Sequence, residues 1–233
     1  MQFLLSSFRF LLVLIWLVFL LAISYFYLDI PLLLNSSVLR DHYYIPLRIL
    51  SILTSPGTQL ALWSLVFCWV LVIKKNAEAS LFVYPIIASM IASNALIRFI
   101  KIFVGRSRPD MLLYEGLYEL KLFSLERYYT SFPSGHASTF ASICGLFAAK
   151  YPKYALFWIF FAVTLSLCRV FIGAHYLSDI LFGNFLGFAF TWYFYFSQLD
   201  KNPAFLNYTK DDALWRNLPF LNLLLKKDGQ LEP

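Results

Sequence analysis

The sequence predicts an all-α integral membrane protein, six transmembrane helices in one bundle, and three observations carry that prediction. Of 233 residues, 60% are hydrophobic and only 14% are charged, against roughly 25% charged in an ordinary soluble domain. The apolar residues gather into runs long enough to cross a bilayer, which takes about 20 residues of helix. Between the runs stand short basic turns or polar connections, with no internal repeat and no low-complexity stretch. A net charge of +6 would fit nucleic acid in a soluble chain. Here the basic residues sit at the ends of apolar runs, where they anchor and orient helices. No basic patch interleaved with aromatics marks a nucleic-acid site. Cys68, Cys144 and Cys168 form neither a disulfide framework nor metal-ligand spacing, and Cys68 and Cys144 read as small packing residues.

The first run, residues 10–28, is uncharged between Arg9 and Asp29. Ala22-Ile23-Ser24 resembles a signal-peptidase site, but hydrophobicity continues through Tyr25, Phe26 and Leu28, which argues for a retained helix. Residues 29–48 read as a polar connection. The second run, 49–73, contains Pro56-Gly57 as a turn or helix start and ends at Lys74-Lys75. The third, 79–97, delivers Arg98 and Lys101 to its far end. Within the polar and aromatic stretch 103–130, residues 111–125 mix apolar residues with Glu115, Glu119 and Lys121, which suits short helices on the membrane surface. About thirty residues is long for an idle connection, so a cover over a site is expected there. The fourth run, 132–149, opens with Pro133-Ser134-Gly135-His136 and closes on Lys150-Tyr151-Pro152-Lys153. The fifth is 154–168, extendable to Gly173 if Arg169 faces inward, and the sixth is 180–199.

Residues 1–199 thus read as one transmembrane domain and 200–233 as a cytoplasmic tail of mixed charge. Arg9, Lys74, Lys75, Lys150 and Lys153 place their helix ends in the cytoplasm by the positive-inside rule, with Arg98, Arg106 and Arg127 left on the outer side. Both termini are then inside. The ends of the third and fifth helices and the start of the fourth lie outside.

That outer side collects the unusual residues. Lys101 and Arg108 stand seven apart, followed by Pro109; Pro133-Ser134-Gly135-His136 is the second cluster; Arg169, His175 and Asp179 are the third. Ionisable groups at membrane depth are costly unless they pair or line a polar cavity. Each cluster alone has a plain reading, as interfacial cations, a turn with a helix cap or a capping His–Asp pair. Together they ask for an anion of about two negative charges, which a phosphate monoester supplies. Arginine offers a planar fork to phosphate oxygens and lysine a compact charge. Ser134-Gly135 at a helix start can add a hydroxyl and backbone N–H groups. His175 and Asp179, four apart, share a face if helical, so the carboxylate can hold one ring nitrogen and leave the other as a nucleophile. The second histidine, His136, can protonate a leaving oxygen.

These clusters resemble the three signatures of the type 2 phosphatidic acid phosphatase (PAP2) superfamily: Lys101-x6-Arg108-Pro109, Pro133-Ser134-Gly135-His136, and Arg169-x5-His175-x3-Asp179. The match runs from Lys101 to Asp179. It departs once, where the third signature normally begins with Ser and this chain has Cys168. A thiol is a poorer hydrogen-bond donor, and Cys168 is left out of the site. The resemblance implies a phosphatase that needs neither metal nor cofactor and works through a phosphohistidine. By position, His175 would be the nucleophile, Asp179 its orienting partner and His136 the general acid. Lys101, Arg108, Ser134, Gly135 and Arg169 would hold the phosphoryl oxygens. The substrate would be a membrane lipid phosphate or diphosphate: phosphatidate, phosphatidylglycerophosphate, an isoprenyl pyrophosphate or a lipid A phosphate. The setting would be the bilayer of a bacterial inner membrane, with the site facing outward. The same residues allow a lipid-to-lipid phosphotransferase, since only the acceptor differs. A transporter or flippase with an anion site but no covalent step is a second class, and a scaffold protein a third. Paired histidines favour chemistry over passage. The haloperoxidase use of this fold, with vanadate in the phosphate site, belongs to soluble proteins.

Overall fold

The computed structural model describes residues 2–75 and 77–201, and their regular elements are helical, with an isolated bridge between Arg106 and Leu120. Helix α1 (Gln2–Ile23) runs through a π-turn (Ser24–Leu28) into α2 (Asp29–Asn35), and α3 (Ser37–Leu53) follows. Then come α4 (Pro56–Cys68), α5 (Ala77–Val104), the short α6 (Pro109–Glu115) and α7 (Gly135–Lys150). The last three are α8 (Ala155–Ser166), α9 (Cys168–Phe171) and α10 (Leu177–Lys201). Among the described residues, four stretches are long and apolar enough to cross a membrane: Leu11–Asn35, Pro56–Ile73, Ala79–Val104 and Pro152–Phe171.

One expectation changes. Residues 29–48 are helical rather than a polar connection, in α2 and a kinked α3 that meet at Ser36, and Asp29 at their start is wholly buried and hydrogen-bonded inside the protein. The second apolar run divides at the expected helix start. Ser55 is extended and accepts from the Thr58 amide at 3.2 Å, so α4 starts at Pro56 with its own cap. A residue before proline is biased away from helix, and proline suits the first helical position. Cys144 packs in the core as expected, whereas Cys68 lies exposed on α4. Beyond Lys201 the expected tail lies outside the described residues.

The fourth and sixth apolar runs form α7 and α10, which are not among the four apolar stretches. They lie at the centre, packed on each other and on α5. Lipid-facing helices need apolar outer surfaces, and α8 accordingly exposes Leu156, Phe157 and Phe160. A central helix faces protein, so its contacts reward small residues and internal hydrogen bonds. Ser89 on α5 pairs with Ser142 on α7 at 2.8 Å, and Thr191 on α10 donates to Ser89 at 2.8 Å and to the Ser142 carbonyl at 3.1 Å. Gly183 and Gly187 let the α10 backbone lie against the Ser134 and Ser138 carbonyls of α7.

A Cβ at Gly187 would overlap the Ser138 carbonyl and stand 2.7 Å from the Ala141 Cβ. Gly187→Val is therefore expected to destabilise the bundle by about 1–3 kcal/mol, read as a lower Tm of the detergent-purified protein.

Candidate active site

Three chain segments reach one end of the central helices. Lys101 ends α5, Ser134 caps α7, and the turn between α9 and α10 carries Ala174 and His175. That turn is wound on one carbonyl: the amides of Ala174 and His175 both donate to Arg169 O, at 2.9 and 3.1 Å. Gly173 supplies the left-handed φ of +72° that the reversal needs. Asp179, in the first turn of α10, is then four residues from His175, and its Oδ2 lies 3.3 Å from His175 Nδ1. The amide of Ser134 donates to the Asp179 carbonyl at 3.0 Å, which joins the start of α7 to the start of α10.

The expected residues converge. His136 is within electrostatic range of His175, Lys101, Arg108 and Arg169, and Lys101 is within range of Asp179, Arg108 and Arg169. The three cations rest on neutral oxygens. Lys101 donates to the carbonyls of Thr130 and Ser131, Arg108 to Thr130 Oγ1 at 3.2 Å, and Arg169 to Ser51 Oγ of α3. None of the three makes an ion pair among the described residues. Ser134 Oγ and Arg169 Nε are buried with no hydrogen-bond partner among the described residues. A buried donor without a partner costs about 1–3 kcal/mol, so both are suited to an anion held at this spot. Gly135 begins α7 beside them, where a helix leaves its first amides unpaired. A small cleft beside the cluster is lined by His136, Arg169, Thr54, Phe140 and Cys168.

Sequence reasoning missed Arg106, Asp29 and Ser131. Arg106, 2% exposed, donates to Asp179 Oδ1 at 2.6 Å and to Asp29 Oδ2 at 2.7 Å. Its guanidinium carbon lies 4.3 to 5.3 Å from the ring centres of Tyr176, Tyr25 and Tyr118. Asp179 Oδ2 also accepts from Ser131 Oγ at 2.6 Å and from the Tyr176 amide at 3.0 Å. Burial alone would lower the Arg106 pKa, but Asp179 and Asp29 reverse that and hold it above the ordinary range. Burial pushes His175 below the usual histidine range, against the hydrogen bond to Asp179, and so favours a neutral imidazole. Arg106 lies inside the Lys101-x6-Arg108 spacing, but in the sequence it reads as one of the outer-side basic residues.

The stretch expected to hold short surface helices contains one, α6, and otherwise folds back on residues 103–107. The Lys121 amide donates to Gly105 O at 2.7 Å and the Ser107 amide to Glu119 O at 3.0 Å. On the far side, the Ser131 amide donates to Arg106 O at 3.1 Å and the Arg108 amide to Tyr128 O at 2.8 Å. This stitching fixes Arg106 and Arg108 on opposite sides of one short strand of backbone. Gly105, at φ +54°, sits so close to the Lys121 carbonyl that no side chain fits.

A family model described as the PAP2 superfamily matches residues 82–203. Two curated relatives, the lipid A 1-phosphatases of Rhizobium etli and Rhizobium johnstonii, are each 35% identical over 99 residues, 42% of this chain. The matched part spans 43% and 41% of their own lengths, less than half of either. The crystal structure of Aquifex aeolicus LpxE superposes with a TM-score of 0.54, covering 74% of this chain and 97% of that one at 19% identity. That likeness is one of fold.

Gly105→Ala is expected to cost about 1–3 kcal/mol through its left-handed backbone and to dislodge the 116–126 loop. A lower Tm and faster protease cutting within that loop would register both effects.

Proposed function

The chain belongs to the PAP2 superfamily, and on that premise we propose that it is a membrane lipid phosphatase working through a phosphohistidine on His175. One observation carries the reading. Segments far apart in sequence bring together two histidines and three cations that make no ion pair among the described residues, while Asp179 pairs with Arg106, which Asp29 shares. Three spare positive charges around a neutral imidazole fit a dianionic phosphate.

His175 Nδ1–H donates to Asp179, leaving Nε2 with a lone pair for phosphorus. The Nε2–P bond forms as the bond from phosphorus to the lipid oxygen breaks, and His136 gives that oxygen a proton. Lys101, Arg108 and Arg169, with the Ser134 hydroxyl and the Gly135 amide, take the charge that spreads over the three equatorial oxygens. A water molecule, deprotonated by His136, then attacks phosphorus. The Nε2–P bond breaks, phosphate leaves and the imidazole is restored.

The relatives' names make a lipid A phosphate the first substrate to test, ahead of phosphatidate, phosphatidylglycerophosphate and isoprenyl pyrophosphate. Six crossings remain the preferred topology, with α7 and α10 as the fourth and sixth. At 16 and 25 residues they reach about 24 and 37 Å, against a hydrocarbon core of about 30 Å. The lysines of the 74–75 and 150–153 turns then face the cytoplasm, and the site opens on the outer face of a bacterial inner membrane.

Detergent-purified protein is expected to release phosphate from at least one of the four lipids with EDTA present. His175→Ala should lower that release by about 10³-fold or more, and release that requires added metal would overturn the mechanism. His136→Ala should cost about 10²–10⁴-fold on a lipid. On p-nitrophenyl phosphate, whose leaving group needs no proton, the loss in phosphoenzyme formation should be much smaller, while hydrolysis of the phosphoenzyme stays slow because His136 is also its base. Rapid quenching with labelled substrate should trap phosphate on His175, and a label discharged only by a second lipid would mark transfer instead of hydrolysis.

A further inference from the structure

Asp29 lies outside the stretch matched by the family model and 150 residues before Asp179, yet its carboxylate is bound into the same cluster. It is wholly buried. Its Oδ1 accepts from Ser24 Oγ at 2.8 Å and the Ser178 amide at 2.9 Å. Its Oδ2 accepts from Arg106 Nη2 at 2.7 Å, Ser178 Oγ at 2.6 Å and Tyr118 Oη at 3.3 Å. Ser178 is the residue before Asp179, so Asp29 holds the first turn of α10 both directly and through Arg106. The Tyr118 hydroxyl closes the cluster, donating to Tyr25 O at 3.0 Å and accepting from Arg106 Nη2 at 2.6 Å.

The charges give this geometry a purpose. Asp179 alone would face Arg106 as a neutral pair, with little negative potential left for the imidazole. Adding Asp29 returns the cluster to one net negative charge, beside a histidine that becomes cationic as its Nε2 bonds to phosphorus. Fixed charge placed where charge develops lowers a barrier without reorganisation. We propose that Asp29 is a positioning residue for His175: it balances Arg106, so that Asp179 keeps a full carboxylate for the imidazole and stays in register with it. The N-terminal helical segment is thereby part of the catalytic centre although it carries no group that touches substrate. This inference rests on His175 being the nucleophile.

Asp29→Asn keeps the shape and removes the charge. It is expected to lower kcat about 10- to 100-fold with KM unchanged, since the phosphate-holding cations are untouched. In the Asp179→Asn background the same exchange should cost nothing more, because its effect passes through Asp179. Wild-type kcat in Asp29→Asn, or losses that multiply in the double variant, would overturn the proposal. If Asp29→Asn does not fold, Ser24→Ala loosens one donor to Asp29 and should give a smaller kcat loss at constant KM; no loss there overturns it as well. His175→Ala in the same assay, together with ¹⁵N-histidine spectra, separates this inference from the functional reading. Wild-type protein inactive on every lipid would sink the phosphatase reading. The spectra would still decide the positioning role: it predicts a His175 tautomer protonated on Nδ1 that changes in Asp29→Asn, and unchanged His175 resonances would refute it.

Discussion

A guanidinium enclosed by two carboxylates and three tyrosine rings organises one end of this bundle. Arg106 joins Asp29, at the end of the first apolar run, to Asp179, at the start of α10. Burying three charges has a large desolvation cost, and such a cluster survives only when almost every donor and acceptor is met. Here the two acids collect hydrogen bonds from serines, a tyrosine and backbone amides, and the rings face the cation. Removing one member would leave a buried charge unmatched, at about 3–5 kcal/mol. What the cluster fixes is a single geometry, with Asp179 held 3.3 Å from His175 Nδ1.

The helices obey the same division of labour. Residues facing outward are large and apolar, while the interface of α5, α7 and α10 sets serine, threonine, glycine and alanine beside a cluster of Ile86, Met90, Leu146 and Tyr195. Between helices already in lipid, hydrophobicity gives no preference for one neighbour over another, so close backbone approach and internal hydrogen bonds do the selecting. Of these three helices, α7 and α10 are less apolar than the peripheral α1 and α8. They are also the two whose first turns bear the candidate chemistry, since Ser134 caps α7 and Asp179 lies in the first turn of α10. Rigid, tightly packed helices hold those turns in place.

The candidate site was legible to an unusual degree. Lys101, Arg108, Ser134, Gly135, His136, Arg169, His175 and Asp179 stand in three clusters that sequence reasoning singled out, and the structure brings the clusters to one place. The loop before α7 was legible as too long to be idle, but not its fold, which depends on backbone pairing such as Lys121 to Gly105. Arg106 and Asp29 looked like boundary charges, because a lone acid or base at the end of an apolar run most often faces water. Their pairing across 77 residues has no local signature.

By itself the sequence determined the helical membrane class, the residue types of the candidate site and the four-residue step from His175 to Asp179. Those depend on composition and on short-range periodicity, which act along the chain. The tertiary structure alone decided that α7 and α10 occupy the centre and that Arg106 is shared between two carboxylates. Long-range packing chose the partners in each case, because a buried charge must find its counter-charge wherever the fold brings one within reach.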